Sequence, residues 1–280
     1  MTLNRGTLFQ LFKYAVYSLL ALNVYLFWRE EYLAGMTEFP GGVPADQLIK
    51  AYAATIDTAA WLVLLLMFEL ETHTLDERHF TRPVTLSLHA VRIVCYTFIV
   101  YACYGYCINA FGAHDVTLVA DLTDLCTLAD DGWYYAVDYD EYVAITAQTC
   151  SDLSSSQAFY KFNEHASVVD AAGLHHYQLL AWADAVNGVV WILIVVMLEL
   201  EVRLQERDQL GDNAVRAFGA AKIILYSALM LMAVYWGFDG DFVDFWDAFL
   251  WLVAFFFIEM NVIEWRAEEE SETAGLTAAR

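Results

Sequence analysis

The sequence predicts an all-α integral membrane protein whose six transmembrane helices form three tandem hairpins in a quasi-threefold repeat. Of its 280 residues, 59% are hydrophobic, and a mean hydropathy of +0.43 is typical of membrane proteins. Six apolar segments approach the roughly 20 residues that a spanning helix needs, and polar side chains recur within them at fixed spacing. The predicted spans are residues 9–28, 51–70, 91–111, 178–200, 217–237 and 243–264.

The basic residues predict the orientation of these spans. If the termini and segments 71–92 and 201–222 are cytoplasmic, all but three of the 14 Lys and Arg residues lie at cytoplasmic positions. Cytoplasmic loops carry such an excess in membrane proteins. The first span lacks a small-residue cleavage site, so we expect it to be retained as a helix. The sequence therefore predicts a multipass protein of the inner cell membrane with both termini in the cytoplasm.

A small extracytoplasmic cap is predicted between the third and fourth spans. Within residues 113–170, eleven Asp and Glu side chains accompany a single base, Lys161. Such a surface attracts cations or a basic protein partner and disfavours nucleic acid, although adaptation to a saline habitat is the simpler explanation of a net charge of −22. The predicted divisions are helices at 1–111, the acidic cap at 112–177, helices at 178–264 and an acidic tail at 265–280.

The five cysteines fall into two groups. Cys126 and Cys150 lie in the predicted cap on the oxidising side of the membrane, where a structural disulfide is expected. Closing that loop would contribute about 3 kcal/mol to stability. Cys95, Cys103 and Cys107 belong to the third span, where thiols commonly serve as small apolar packing groups.

An internal repeat relates the hairpins. Shifting residues 57–108 by 130 positions needs no gap and superimposes the closing helix of one hairpin on that of another. Each closing helix carries Asp or Asn, then Trp four residues later, then Glu eight residues after that. These positions are Asp57, Trp61 and Glu69; Asn187, Trp191 and Glu199; and Asp247, Trp251 and Glu259.

Each opening helix carries a base, then Tyr four residues later, then a hydroxyl residue. These positions are Lys13, Tyr17 and Ser18; Arg92, Tyr96 and Thr97; and Lys222, Tyr226 and Ser227.

Opposite charges at matching depth predict ion pairs between the two helices of a hairpin. We expect Glu69, Glu199 and Glu259 to pair with Arg92, Lys222 and Lys13, because an opposite charge offsets part of the penalty for a charge in the membrane. Such pairs hold the hairpins together, or they form a latch at the cytoplasmic mouth of a pore. Glu71 and Glu201 lie about 200° around the helix from the repeated glutamates, so we expect them to be solvated.

Four polar side chains predict an ion or proton site deeper in the membrane. An intramembrane carboxylate is a functional candidate, as a proton relay or a cation ligand. Hydrogen bonds to Tyr17, Tyr96 and Tyr226 are the structural alternative. The four candidate residues are Asp57, Asp184, Asn187 and Asp247.

The primary functional hypothesis is a transport-type protein that conducts protons or small cations. A non-catalytic subunit that docks a partner through its acidic cap is the alternative, and a thiol/quinone redox protein is a minor one. Phosphate-binding, hydrolase and zinc-protease motifs are absent, and no spaced ligand set accompanies His165, His175 and His176. We therefore expect no enzyme activity, cofactor or metal, and a lipid bilayer as the surroundings.

Overall fold

A computed structural model describes residues 5–71, 81–120, 122–154, 158–206 and 212–255. Most of these residues are helical, and the strands lie between the fourth and sixth helices. The helices are α1 (Arg5–Glu38), α2 (Leu48–Ala51), α3 (Ala53–Glu69), α4 (Arg82–Gly112), α5 (Cys150–Leu153), α6 (Ala171–Glu206) and α7 (Asp212–Asp239), followed by α8 at residues 242–255.

Four helices are long and apolar enough to cross a bilayer, which indicates a membrane protein. They coincide with the first, third, fourth and fifth predicted spans. Helices α3 and α8 overlap the second and sixth predicted spans. Residues 256–264 of the sixth span lie outside the described residues. The four candidate spans are Phe9–Glu38, Arg82–Gly112, Ala171–Glu201 and Ala214–Asp239.

The long helices extend beyond their predicted ends. Helix α1 has 34 residues, which corresponds to about 51 Å at 1.5 Å per residue, whereas the hydrocarbon core is about 30 Å thick. The charged run Arg29–Glu31 does not end it, because Arg and Glu are good helix formers. The helix ends at Glu38, shortly before Pro40, since a proline disfavours helical backbone in the residue before it.

The prediction of an all-α fold is wrong in the region of the predicted cap, where the sequence pattern was too weak to specify a fold and a five-stranded sheet is present. The strand order is β1-β4-β5-β2-β3. Strands β2 and β5 are parallel, and the other neighbours are antiparallel. The strands are β1 (Val116–Val119), β2 (Tyr134–Ala136), β3 (Tyr142–Ala144), β4 (Phe159–Phe162) and β5 (Ser167–Asp170).

The sheet has an apolar core on each face. Val169 and Phe162 pack with Ala110 of α4 and Ala181 of α6, which fixes the sheet to one end of these two helices. Side chains alternate across a strand, so neighbouring Val168 packs on the other face with Leu125, Ile145 and Cys150. The predicted Cys126–Cys150 disulfide is present and closes this second core.

The described chain divides into two compact units. One unit comprises the described parts of Met1–Asn23 and Met230–Arg280, and the other spans Val24–Leu229. The sheet and α2 to α6 belong to the second unit. The first unit contains the beginning of α1, the end of α7 and helix α8.

Candidate functional site

Three of the four predicted ion-site residues lie in the unit Val24–Leu229, and each is half-buried. Asp57 of α3 acts electrostatically on the Cys103 thiol of α4. Asp184 of α6 acts instead on Tyr139, next to the sheet. The Asn187 side-chain oxygen is buried without a hydrogen-bond partner among the described residues.

The fourth predicted residue, Asp247, lies in the other unit. Its Oδ1 accepts a hydrogen bond of 2.9 Å from Nδ2 of Asn23 in α1. A second hydrogen bond joins Asp247 to the side chain of Trp251, one helical turn later. This contact gives a physical reason for the four-residue spacing of Asp and Trp, because residues at i and i+4 are neighbours on a helix surface.

Two of the bases in the predicted ion pairs contact glutamates other than the predicted ones. Arg92 pairs with Glu71 at 2.8 Å, and Lys222 pairs with Glu201 at 2.5 Å. Glu199 contacts Arg203 of its own helix at 2.8 Å. Two residues turn a helix by about 200°, so glutamates two positions apart lie on different faces, and hydropathy does not show which face lies against the neighbouring helix.

The remaining latch residues have other surroundings. Glu69 and Lys13 are buried, with 7% and 4% of their surface exposed, and the Lys13 ammonium lies 5.3 Å from the centre of the Tyr14 ring. The prediction for Glu259 falls outside the described residues. Two of the repeated hydroxyls, Ser18 and Thr97, donate to backbone carbonyls four residues earlier in their own helices.

The three supporting tyrosines differ in exposure. Tyr17 is buried, Tyr226 is half-buried, and Tyr96 is 40% exposed. Tyr96 lies within electrostatic range of Arg92 and Glu199.

A cluster of tyrosines and glutamate, which sequence reasoning missed, links α1, the β2–β3 hairpin and α6. The Tyr142 hydroxyl donates to Oε1 of Glu38 at 2.8 Å, and its oxygen lies 3.5 Å from that of Tyr177. The Tyr177 ring packs edge-on against Tyr139, with centroids 5.2 Å apart. Tyr139 is in turn within electrostatic range of Asp184. We call Glu38, Tyr139, Tyr142 and Tyr177 the tyrosine cluster.

Burial keeps the hydroxyls of this cluster protonated. It raises the pKa of Tyr142 well above the ordinary value, and the neighbouring Tyr177 and Glu38 raise it further. The pKa of Tyr139 is raised well above its ordinary value by burial, with contributions from Tyr177 and Asp184. Each hydroxyl can therefore donate one hydrogen bond and accept another.

Polar side chains at the margin of the tyrosine cluster reach solvent. Lys50 of α2 forms an ion pair with Glu164, whose side chain is 51% exposed, and both act electrostatically on Glu38. His165 lies between the Tyr142 and Phe162 rings, with centroids 5.7 and 5.0 Å away. The cluster thus connects an exposed ion pair to the interior of the unit.

A carboxylate of α1 also fixes the beginning of α3. Glu31 accepts hydrogen bonds from the backbone amides of Ala54 at 2.7 Å and Thr55 at 3.1 Å, and from the Thr55 hydroxyl at 2.5 Å. The first amides of a helix have no partner within the helix, and a negative charge there is favourable. Glu31 therefore holds α3 in place beside α1.

The histidine and thiol positions show local contacts. His176 Nε2 lies 3.7 Å from a carboxylate oxygen of Asp138, while His165 Nδ1 lies 2.5 Å from the Ser167 hydroxyl. Cys103 and Cys107 are half-buried and joined by a thiol hydrogen bond.

Comparison with known proteins assigns no family: no family model, curated protein or solved structure matches this chain. The four long apolar helices indicate a helical membrane protein, and it carries a β-sheet segment closed by a disulfide.

Proposed function

We propose that this chain is a transport-type membrane protein that conducts protons or small cations past intramembrane carboxylates. The proposal depends mainly on the tyrosine cluster, because this cluster provides polar groups between an exposed ion pair and the interior of an apolar helix. Polar groups are expensive in a membrane and mark ion or proton pathways there.

In this proposal the ion moves along a series of polar groups in the unit Val24–Leu229. Glu164 and Lys50 lie at the exposed end, and Glu38 with the tyrosine hydroxyls follows. Asp184 acts on the inner end of the cluster. Asn187 lies three residues after Asp184, so both belong to the same side of α6. In this proposal Glu38 is the entrance and Asp184 is the first acceptor within the helices.

The proposed latch consists of ion pairs between helices. The pairs Arg92–Glu71 and Lys222–Glu201 each join neighbouring hairpin helices. Their positions differ by 130 residues, as the internal repeat requires. We propose that they hold the cytoplasmic ends of the hairpins together, and that separation of such pairs would accompany opening.

The transport proposal is tested by flux into vesicles. The full chain would be reconstituted into liposomes, and acidification would be followed with an enclosed pH dye while Na⁺ and K⁺ entry are followed with cation dyes. The variants Asp184→Asn and Tyr142→Phe should each lower the flux at least tenfold. Tyr101→Phe is the control, because Tyr101 is exposed on α4. A folded parent protein without any flux would refute the proposal.

A docking subunit is the second candidate function, favoured by the open edges of the sheet. Within the described residues β1 and β3 each pair on one side, and Leu118 of β1 is 52% exposed. Unpaired strand edges are sites at which a partner can add a strand. A partner that co-purifies from native membranes and is lost with Leu118→Lys would support this function.

A further inference from the structure

Asn23 is the most deeply buried polar side chain among those the structure describes in α1. Its exposed fraction is 0%, and it lies within the apolar stretch of the first predicted span. Its amide nitrogen donates to Asp247, while its amide oxygen is buried without a partner among the described residues. A buried acceptor without a donor destabilises the folded state, so this arrangement requires an explanation.

The donors and acceptors of Asn23 and Asp247 explain why the Asn23 oxygen has no donor. An amide presents donors at its nitrogen and acceptors at its oxygen, whereas a carboxyl group becomes a donor only when protonated. With Asp247 ionised, the Asn23 nitrogen is the correct partner. With Asp247 protonated, its O–H needs an acceptor, and the idle oxygen of the same amide provides it after a half-turn of the side-chain amide.

The same geometry disfavours a metal cation at Asp247. Hard cations are held by several oxygen ligands, but Asn23 directs an N–H group at the carboxylate. Trp251, the other side chain hydrogen-bonded to Asp247, is also only a donor. Among the described residues, no set of three carboxylate, imidazole or thiolate ligands includes Asp247.

We infer that Asp247 and Asn23 form a proton-binding site in which the Asn23 amide reverses when Asp247 takes up a proton. One O–H bond forms on the carboxylate, and no electron moves. Asp247 is hydrogen-bonded to the side chains of Asn23 in α1 and Trp251 in α8, and neither titrates. This inference rests on the proposed transport function in one respect: it names the proton as the transported ion.

Infrared titration of the full chain in lipid tests the site independently of transport. Lowering the pH should produce the carbonyl band of a protonated carboxylic acid together with a shift of an asparagine amide band. The acid band should be missing in Asp247→Asn, and the amide shift should be missing in Asn23→Leu. Replacing choline chloride with NaCl or KCl should leave the pH midpoint of the acid band unchanged.

A second measurement keeps the test decisive if Asp247→Asn fails to fold. In Asn23→Leu the anion loses a donor, so the midpoint of the acid band should rise by about one pH unit, a tenfold change in proton affinity. Asn109→Leu is the matched control, because its amide oxygen is likewise buried without a partner while its nitrogen donates to the Lys50 carbonyl. It should leave the midpoint unchanged.

The outcomes separate this site from the transport function. An acid band that survives Asp247→Asn, an unchanged amide band, or a midpoint lowered tenfold by Na⁺ or K⁺ would overturn the site. A normal titration without proton flux in liposomes would support the site and refute the transport proposal. Proton flux without titration of Asp247 would leave transport standing and remove the site.

Discussion

His165 is held uncharged by its position against the sheet. Its ring stacks on Phe162 and meets the edge of Tyr142, and its Nδ1 contacts the Ser167 hydroxyl. Burial and, to a smaller extent, nearby Lys50 lower its pKa from 6.5 to about 4, and Glu164 opposes this change. Protonation would place a second positive charge beside Lys50, at the margin of the tyrosine cluster.

The stability of the sheet segment should therefore fall at acid pH. Above pH 6.5 the histidine is neutral in both folded and unfolded chains, and its contribution is fully present. As the pH falls through 6.5 and towards 4, the unfolded chain binds the proton first, so the folded state loses up to about 3 kcal/mol. Thermal unfolding between pH 4 and 8 should show this slope in the parent and a weaker slope in His165→Gln. His89→Gln, at an exposed position of α4, should retain the parent slope.

Three polar residues show which features of the polar sites a sequence pattern reveals and which it does not. Asp247 was predicted because it repeats at a fixed interval, and the contact with Trp251 explains that interval. Asn23 was missed although a lone amide within an apolar span is itself a signal, because it has no counterpart in the other hairpins. Glu69 was predicted to pair with Arg92 in place of Glu71. Periodicity shows which residues share a face of a helix, but it does not show which face lies against the neighbouring helix.

At the scale of elements, the hairpins are joined by charge and by close backbone contact. The Arg92–Glu71 and Lys222–Glu201 pairs are partly buried, with side chains 17% to 37% exposed, whereas Glu199 and Arg203 are 58% and 64% exposed. Water and salt screen an exposed pair strongly. The interhelical pairs should thus contribute more than the pair within α6.

A double-mutant cycle on Glu201→Gln and Lys222→Gln should give a coupling energy of about 0.5–3 kcal/mol. The same cycle on Glu199→Gln and Arg203→Gln should give at most about 0.5 kcal/mol, because that pair is an exposed i, i+4 contact. Chemical unfolding in mild detergent would measure both cycles. Equal coupling in the two cycles would argue against Lys222–Glu201 as the clasp of its hairpin.

The packing of α4 against α2 and α3 depends on the absence of a side chain at Gly105. A Cβ there would lie 2.8 Å from the Ile49 carbonyl oxygen and 3.3 Å from the Ala53 Cβ, whereas a Cβ at Gly112 would meet nothing within 4 Å. Gly105→Ala should destabilise the fold by about 1–3 kcal/mol. Gly112→Ala, in the same helix, should be neutral or slightly stabilising. Unfolding midpoints of the two variants would check this, and equal midpoints would contradict it.

At the scale of the whole molecule, patterns within short segments predicted helices, but they did not predict contacts between residues far apart in the sequence. Apolar segments of about 20 residues are read directly from the chain, and four of them are helices of spanning length. The disulfide followed from the two cysteines outside the predicted spans. The sheet was missed because its strands have three or four residues, and because β2 pairs with β5 some 30 positions later. The tyrosine cluster depends on that sheet and was missed with it.

The predicted orientation of the chain in the membrane can be tested at the two ends of α4. Asp131 belongs to the sheet segment that follows α4, and Thr81 directly precedes the helix; both are exposed. The distribution of Lys and Arg predicts that the sheet lies outside and Thr81 inside. An impermeant maleimide added to intact cells should therefore label Asp131→Cys and spare Thr81→Cys, with the native chain as the baseline because Cys126 and Cys150 are bonded to each other. Permeabilised cells should label both. Labelling of Thr81→Cys alone in intact cells would invert the topology and place the tyrosine cluster on the cytoplasmic side.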